Sequence, residues 1–175
     1  ASGKSHEISF SHLLVAAGRA ANVEGLHLDR ARVNCSPHTG VQVNDRLQTT
    51  NPRIYAAGDI CSKYKFTHAA DAMARIVIGN ALFGKRGKVS RLIIPWCTYT
   101  SPEIARIGLS AEEAAAAQIP IDTYRQPLAE IDRAVLDGHP QGFIEVHTRR
   151  GTDTILGATI VAEQAGELVG EFSLA

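Results

Sequence analysis

The residues RIYAAGD at positions 53–59, followed after a polar loop by THAADAMARIVIGNALF at positions 67–83, decide the fold prediction for the first half of the chain. The first segment predicts a short β run that ends at Gly58 and is followed by the carboxylate of Asp59. The second segment places apolar residues on adjacent helical turns, which predicts a helix from Thr67 to Phe83 that ends at Gly84. A strand, a Gly-Asp pair, a loop and a helix in succession indicate a ligand held at the carboxyl end of a sheet.

Further strands are predicted before this stretch. Residues 7–10 and 12–16 are the first two candidates, and Leu13 to Val15 form the continuous apolar run of a buried parallel strand. Gly40 to Val43 alternates like a half-buried strand. The chain then divides near residues 84–93.

From Leu92 onward the pattern changes to a compact α+β arrangement. Ser110 and Glu113 have capping-box spacing, which predicts a helix capped by Ser110 and running through Gln118. A last helix begins at Ala165, and its apolar stripe is interrupted where the chain ends, so we expect a piece of a longer protein. Strands are predicted at residues 93–99, 104–107, 142–148 and 155–161.

Composition narrows the class of protein. The 175 residues contain 18 Lys+Arg and 18 Asp+Glu, so bulk charge gives no reason to bind nucleic acid or an anionic membrane. No apolar run reaches the roughly 18 to 20 residues of a membrane span. Three widely separated cysteines favour a reducing compartment, and we expect a cytoplasmic protein.

Local chemistry leaves two alternatives open at each candidate residue. Asp59 can bind sugar-type hydroxyls beside the bare backbone of Gly58, or it can simply cap a nearby amide in the turn. The segment Lys65 to Ala69 precedes or begins a helix, so its amides can face an electron-rich ligand, while Thr67 can instead cap that helix. The seven histidines and three cysteines lack metal-ligand spacing, and neither a nucleophilic triad nor a GxGxxG loop occurs, so we predict no metal site and no catalytic residue.

Four sequence blocks occur in order along the chain: LLVAAGRAAN at 13–22, IYAAGDI at 54–60, TYTSPEIA at 98–105 with IGL at 107–109, and ILGATIV at 155–161 with AGELV at 165–169. Together they resemble the pyridine nucleotide-disulfide oxidoreductases. Within that family, IPWCT at 94–98 and DRAVLDG at 132–138 are most similar to the mercuric reductase-like and dihydrolipoamide dehydrogenase-like branch.

The resemblance implies an α/β plus α+β fold: a remnant of the FAD/NAD nucleotide-binding domains at 1–88, followed by an α+β dimerisation domain with an antiparallel sheet at 92–175, truncated at its C-terminus. FAD and NAD(P) are the implied cofactors of the parent protein, and the implied partner is a second copy bound through residues 92–175. The implied cofactor-binding residues are Gly58 and Asp59 on the FAD ribityl or pyrophosphate region, and Lys65, Phe66, Thr67 and His68 facing the flavin. On the nicotinamide side they are Gly18, where the missing side chain lets the cofactor approach, and Arg19, as a phosphate-side or a structural contact.

The chain also departs from the family. The redox cysteine pair, both glycine-rich loops and the C-terminal His-Pro segment are absent from it, so we expect the fragment alone to be inactive. The resemblance favours one function: the chain is part of an FAD-dependent oxidoreductase that moves electrons between NAD(P)H and a disulfide, a dithiol or mercuric ion. The alternative is a stand-alone, non-catalytic dimerisation or binding module. FAD binding by the fragment itself is left open.

Overall fold

A computed structural model describes residue 5 and residues 7–175 of the chain. These residues form two compact units, one ending at Gly87 and the other running from Lys88 to Ala175. Each unit has its own buried core, as expected of parts that fold around separate hydrophobic centres.

The first unit is built on a small β-hairpin and one long helix. Strands β1 (Cys35–Ser36) and β2 (Gly40–Val41) pair antiparallel, and single bridges join Val43 to Thr49 and Gln48 to Tyr55. A 3-10 turn at Gly58–Ile60 then leads to helix α1 (Thr67–Phe83). The buried hydrophobic residues of this unit are Ala21, Val33, Val41, Leu47, Ala69 and Met73.

Helix α1 has the bounds that its apolar spacing predicts. It ends at Gly84, which takes the left-handed conformation (φ 61°) and returns its N–H to the carbonyl of Gly79. This is the usual glycine stop, because a residue without a Cβ adopts that conformation at little cost.

The predicted strands at residues 7–10 and 12–16 were wrong. Both segments are irregular, and the side chains of Leu13, Leu14 and Val15 are 72%, 89% and 73% exposed. A parallel strand is held only by hydrogen bonds to neighbouring strands, and no strand within the described residues pairs with this segment. The β run at 53–59 also shrinks to the single bridge at Tyr55, because the chain turns into the 3-10 conformation at Gly58.

The second unit is a five-stranded antiparallel sheet. Its strand order is β3-β4-β7-β6-β5, so β7, the last strand in the chain, lies in the middle. The strands are β3 (Trp96–Thr98), β4 (Glu103–Gly108), β5 (Ile121–Pro127), β6 (Phe143–Arg149) and β7 (Ile155–Ala162). The helices of this unit are α2 (Ala111–Ala116), α3 (Asp132–Leu136) and α4 (Ala165–Leu174). Two 3-10 turns lie at Val89–Arg91 and Leu128–Glu130.

One face of this sheet forms the core together with α4. The alternation of strand side chains directs Ala105, Ala158 and Ile160 to that face, where they cluster with Ala165 and Val169 of the helix. Ile160, in the central strand, is completely buried. The predicted strands at 104–107, 142–148 and 155–161 therefore correspond to β4, β6 and β7, and that at 93–99 is reduced to β3.

The predicted capping box is confirmed. The Ser110 hydroxyl accepts the N–H of Glu113 at 3.0 Å, and the Glu113 carboxylate accepts the N–H of Ser110 at 2.9 Å. The same carboxylate receives the guanidinium of Arg106 at 2.7 Å, which ties α2 to β4. The helix ends at Ala116, earlier than predicted, because Gln118 adopts a left-handed conformation (φ 55°).

Strand β5 and helix α3 were not predicted. Strand β5 is an edge strand whose sequence, IDTYRQP, is mostly polar, and helix α3 spans only five residues. Within the described part of the chain, no helix is long and apolar enough to cross a membrane.

Candidate functional site

The 3-10 turn that carries Asp59 packs directly against helix α1. Gly58 is buried in a left-handed conformation (φ 79°), and a Cβ added there would lie 3.0 Å from the Cβ of Ala70. The turn is closed by the N–H of Cys61, which donates to the carbonyl of Gly58 at 3.1 Å. Glycine at position 58 therefore serves both the backbone conformation and the close approach to the helix.

Asp59 projects from this turn into solvent. Within the described residues its carboxylate has no hydrogen-bond or ion-pair partner. The alternative that Asp59 caps a nearby amide is therefore not supported by the structure. A carboxylate with its acceptor sites open is suited to take hydrogen bonds from hydroxyl groups of a ligand.

Lys65 and Arg19 tie this turn to two other segments of the first unit. The ammonium of Lys65 donates to the backbone carbonyl of Asp59, and the guanidinium of Arg19 donates to the carbonyl of Lys65 at 2.6 Å. Three predicted site residues, of which Arg19 is 46 positions from Lys65 in the sequence, are thus joined in one chain of hydrogen bonds. The observed contact of Arg19 is with the backbone of Lys65, which is a structural contact.

The charge of Lys65 also reaches the Cys61 thiol. Burial raises the pKa of Cys61, and the nearby Lys65 ammonium offsets part of that rise by favouring the thiolate. The thiol contacts the carbonyl of Gly58 at 3.6 Å and has no described cysteine bonded to it. Cys61 thus packs within the turn, with its thiol on the carbonyl of Gly58.

Helix α1 begins without a side-chain cap. Its N-cap residue is Phe66, and its first turn contains no acidic residue. The alternative that Thr67 caps the helix was wrong, since Thr67 is already its first helical residue and is exposed. The rings of Phe66 and His68 stack, with centroids 5.4 Å apart and planes inclined by 12°. An uncapped helix N-terminus presents backbone N–H groups and the positive end of the helix dipole.

Gly18 is the predicted site residue that the structure leaves outside this group. It has φ +117°, and a Cβ added there would meet no atom within 4 Å. Its neighbour Arg19 contacts Lys65, but nothing in the described residues packs closely on Gly18 itself. Its backbone conformation alone accounts for glycine at this position.

A second polar cluster, in the other unit, was not found from the sequence. The Glu103 carboxylate accepts the N–H of Gly166 at 2.9 Å and the Cys97 thiol at 3.7 Å, so it caps the start of α4 from strand β4. Burial, and then the Glu103 carboxylate, raise the pKa of Cys97. The partners are 63 residues apart, and no local pattern connects them.

No group of three or more metal-ligating side chains lies together in residues 5 and 7–175. His6, one of the seven histidines weighed as ligands, lies outside the described residues.

Comparisons with known proteins match both units to the same family. The profile described as "Pyridine nucleotide-disulphide oxidoreductase" matches residues 1–74, and that of the dimerisation domain of the same family matches residues 94–175. The chain is 35% identical to a mercuric reductase of Streptomyces lividans, over 93% of the chain and 34% of that protein, and 36% identical to a dihydrolipoyl dehydrogenase of Thermus scotoductus, over 99% and 37%. It thus spans about a third of the length of these curated relatives.

Solved structures share the fold. The chain is similar to the HOCl-induced flavoprotein disulfide reductase RclA from Escherichia coli, with a TM-score of 0.79 and 25% identity over 91% of the chain and 37% of that structure. It is equally similar to LpdA from Mycobacterium tuberculosis, with a TM-score of 0.79 and 28% identity over 88% and 34%. The predicted fold class is confirmed.

Proposed function

Because the chain belongs to the pyridine nucleotide-disulphide oxidoreductases, we propose that it supplies flavin contacts and the subunit interface of an FAD-dependent enzyme. That enzyme moves electrons between NAD(P)H and a disulfide, a dithiol or mercuric ion. Residues 1–88 form part of its FAD/NAD-binding region and residues 92–175 its dimerisation domain. The three unpaired, widely spaced cysteines favour a reducing compartment, the cytoplasm.

The open carboxylate of Asp59 carries this proposal. Its acceptor oxygens suit the hydroxyls of the FAD ribityl chain, and the turn that presents it is fixed by Gly58 from one side and Lys65 from the other. A carboxylate hydrogen-bonded to a ligand contributes about 1.5 to 3 kcal/mol, which corresponds to roughly ten- to hundredfold in affinity.

The uncapped start of helix α1 supplies the second element. When bound, FAD supplies the two-electron redox chemistry; the segment Lys65 to His68 would hold its electron-rich end at the helix N-terminus. Backbone N–H groups and the helix dipole there favour negative charge, and no acidic side chain of the first turn opposes it.

The test is an FAD titration of the purified chain, followed by desalting and a visible absorbance spectrum. We expect retained yellow flavin, and a loss of affinity of about tenfold or more in Asp59→Asn, which keeps the shape of the side chain but removes its charge. Asp71→Asn is the matched control, because Asp71 is an exposed carboxylate of the same unit that only pairs with Arg75 at 2.8 Å. A colourless protein would contradict flavin binding by this chain and leave its family membership standing, and an Asp59→Asn variant that binds FAD like the wild type would remove Asp59 from the site.

The dimer part of the proposal concerns the α3 and α4 side of the second unit. A groove of about 810 Å³ lies there, lined by apolar side chains such as Ile131 and Leu168 and by charges of both signs such as Arg133 and Glu163. Leu168 is 43% exposed, whereas Ala165 and Val169 of the same helix are buried against their own sheet. A two-fold contact needs a self-complementary surface, and a mixed apolar and oppositely charged rim meets that need.

A further inference from the structure

Gly40, the first residue of β2, lies against the turn that carries Asp59. A Cβ built on Gly40 would lie 1.9 Å from the carbonyl oxygen of Ile60 and 2.8 Å from the Cβ of Ala21. Ile60 is the last residue of the 3-10 turn and follows Asp59 directly. No side chain larger than hydrogen fits between β2 and the turn.

Backbone conformation alone does not account for this contact. Gly40 has φ +76° at the end of a three-residue hairpin loop, where glycine is favoured for its dihedral angles. Gly25 has nearly the same φ, +73°, but a Cβ added there would meet nothing within 4 Å. The two glycines share the conformational requirement and differ in the close approach, which only Gly40 makes.

We propose that Gly40 is a positioning residue for the FAD site: its bare Cα lets the Ile60 carbonyl close onto β2 and so sets where the turn presents Asp59. This inference rests on the proposed function. The residue touches no ligand group itself and acts through Asp59.

The size of the displacement follows from the contact. Real Cβ atoms essentially never come within 3.0 Å of another heavy atom, so a Cβ at 1.9 Å must move the Ile60 carbonyl by about 1 Å or more. The Cβ of Ala21, 2.8 Å from the added Cβ, blocks movement of that Cβ to another side. A binding group needs its position held to about 0.5 Å, so a shift of this size at the turn is large enough to weaken a ligand contact.

The first experiment compares FAD affinity in Gly40→Ala and in the matched control Gly25→Ala. Both variants place a Cβ on a left-handed residue, so the conformational cost is common to both. We expect about tenfold weaker binding or more for Gly40→Ala and less than about twofold for Gly25→Ala. In an Asp59→Asn background, Gly40→Ala should weaken binding by less than about twofold, because the group through which it acts is already lost.

Amide hydrogen exchange supplies a second readout that needs no ligand. The Cys61 N–H, bonded to the Gly58 carbonyl at 3.1 Å, reports the turn, and the Ala70 N–H, bonded to Phe66 at 3.0 Å, reports the fold of helix α1. We expect Gly40→Ala to speed exchange at Cys61 at least about fivefold relative to Ala70, and Gly25→Ala to leave that ratio unchanged.

The outcomes separate the two claims. If the wild type binds no FAD, the proposed function fails for this chain. The ratio of the exchange rates at Cys61 and Ala70 then tests by itself whether Gly40 holds the turn in place. If FAD binds and Gly40→Ala matches Gly25→Ala in affinity and in exchange, the role of Gly40 is overturned. Equal weakening by Gly40→Ala in the wild-type and Asp59→Asn backgrounds also overturns it, because the effect would then not pass through Asp59.

Discussion

Replacing Ile160 by alanine should remove a large part of the stability of the second unit. Ile160 lies in the central strand, is completely buried, and faces Ala105 of β4 and Ile144 of β6 across the sheet. Buried Ile→Ala changes cost about 2 to 5 kcal/mol, depending on how far the surroundings collapse. Four of the eight buried residues of this cluster are alanines, which have no side-chain torsions with which to refill the space. We therefore expect a loss of about 3 to 5 kcal/mol in the free energy of unfolding.

Urea unfolding followed by the fluorescence of Trp96 measures this loss, since Trp96 is the only tryptophan and belongs to the same sheet. Ile155→Ala is the control: it makes the same change in the same strand at a side chain that is 39% exposed, and should cost about 1.5 kcal/mol or less. All variants are compared at one protein concentration, because dimerisation would add to apparent stability. Equal losses for the two variants would refute the assignment of Ile160 to the core.

Two further predictions concern the second unit. Because the pKa of Cys97 is raised, the folded state holds the thiol proton more tightly than the unfolded chain does. The contribution of this thiol to the unfolding free energy is therefore fully present below the ordinary thiol pKa of about 8.5. It is lost as the pH rises through the raised pKa of the folded state. When the pH is raised from about 8 to about 10, the urea midpoint of unfolding should therefore fall less in Cys97→Ala than in the control Cys35→Ala, whose thiol is exposed. Equal declines of the midpoint in the two variants would contradict this prediction. Sedimentation of the wild type should give about twice 18.8 kDa. Leu168→Glu should shift it to the monomer and Leu82→Glu, an exposed change in the other unit, should not; a wild type that stays monomeric at all concentrations would contradict the dimer.

Local signals predicted those parts of the fold that local physics determines. Helix α1 follows from apolar periodicity and a glycine stop, and α2 begins where the Ser110 hydroxyl and the Glu113 carboxylate exchange hydrogen bonds. Strand β5 escaped prediction because an edge strand buries little and needs no apolar alternation. The apolar run at 13–15 misled for the opposite reason: its pattern is that of a strand, but strand formation depends on partners that sequence periodicity does not report.

The candidate site likewise contains residues that local sequence predicts and contacts that it does not. The Gly58-Asp59 pair could be predicted because a turn glycine followed by a carboxylate is a local signature. The contact of Arg19 with Lys65 spans 46 residues, and that of Glu103 with Gly166 spans 63, so neither leaves a trace in local spacing. The approach of Gly40 to Ile60 is visible only once the turn and the hairpin are placed in space.

The central place of β7 also fixes the order in which the second unit can be completed during synthesis. Strands β5 and β6 form a local antiparallel pair, and β3 and β4 form another, but neither pair touches the other. Both wait for residues 155–162, which join Glu103–Gly108 on one side and Phe143–Thr148 on the other. A nascent chain released before residue 155 would therefore hold two separate ribbons without a common core, and two-stranded ribbons are at best marginally stable in water.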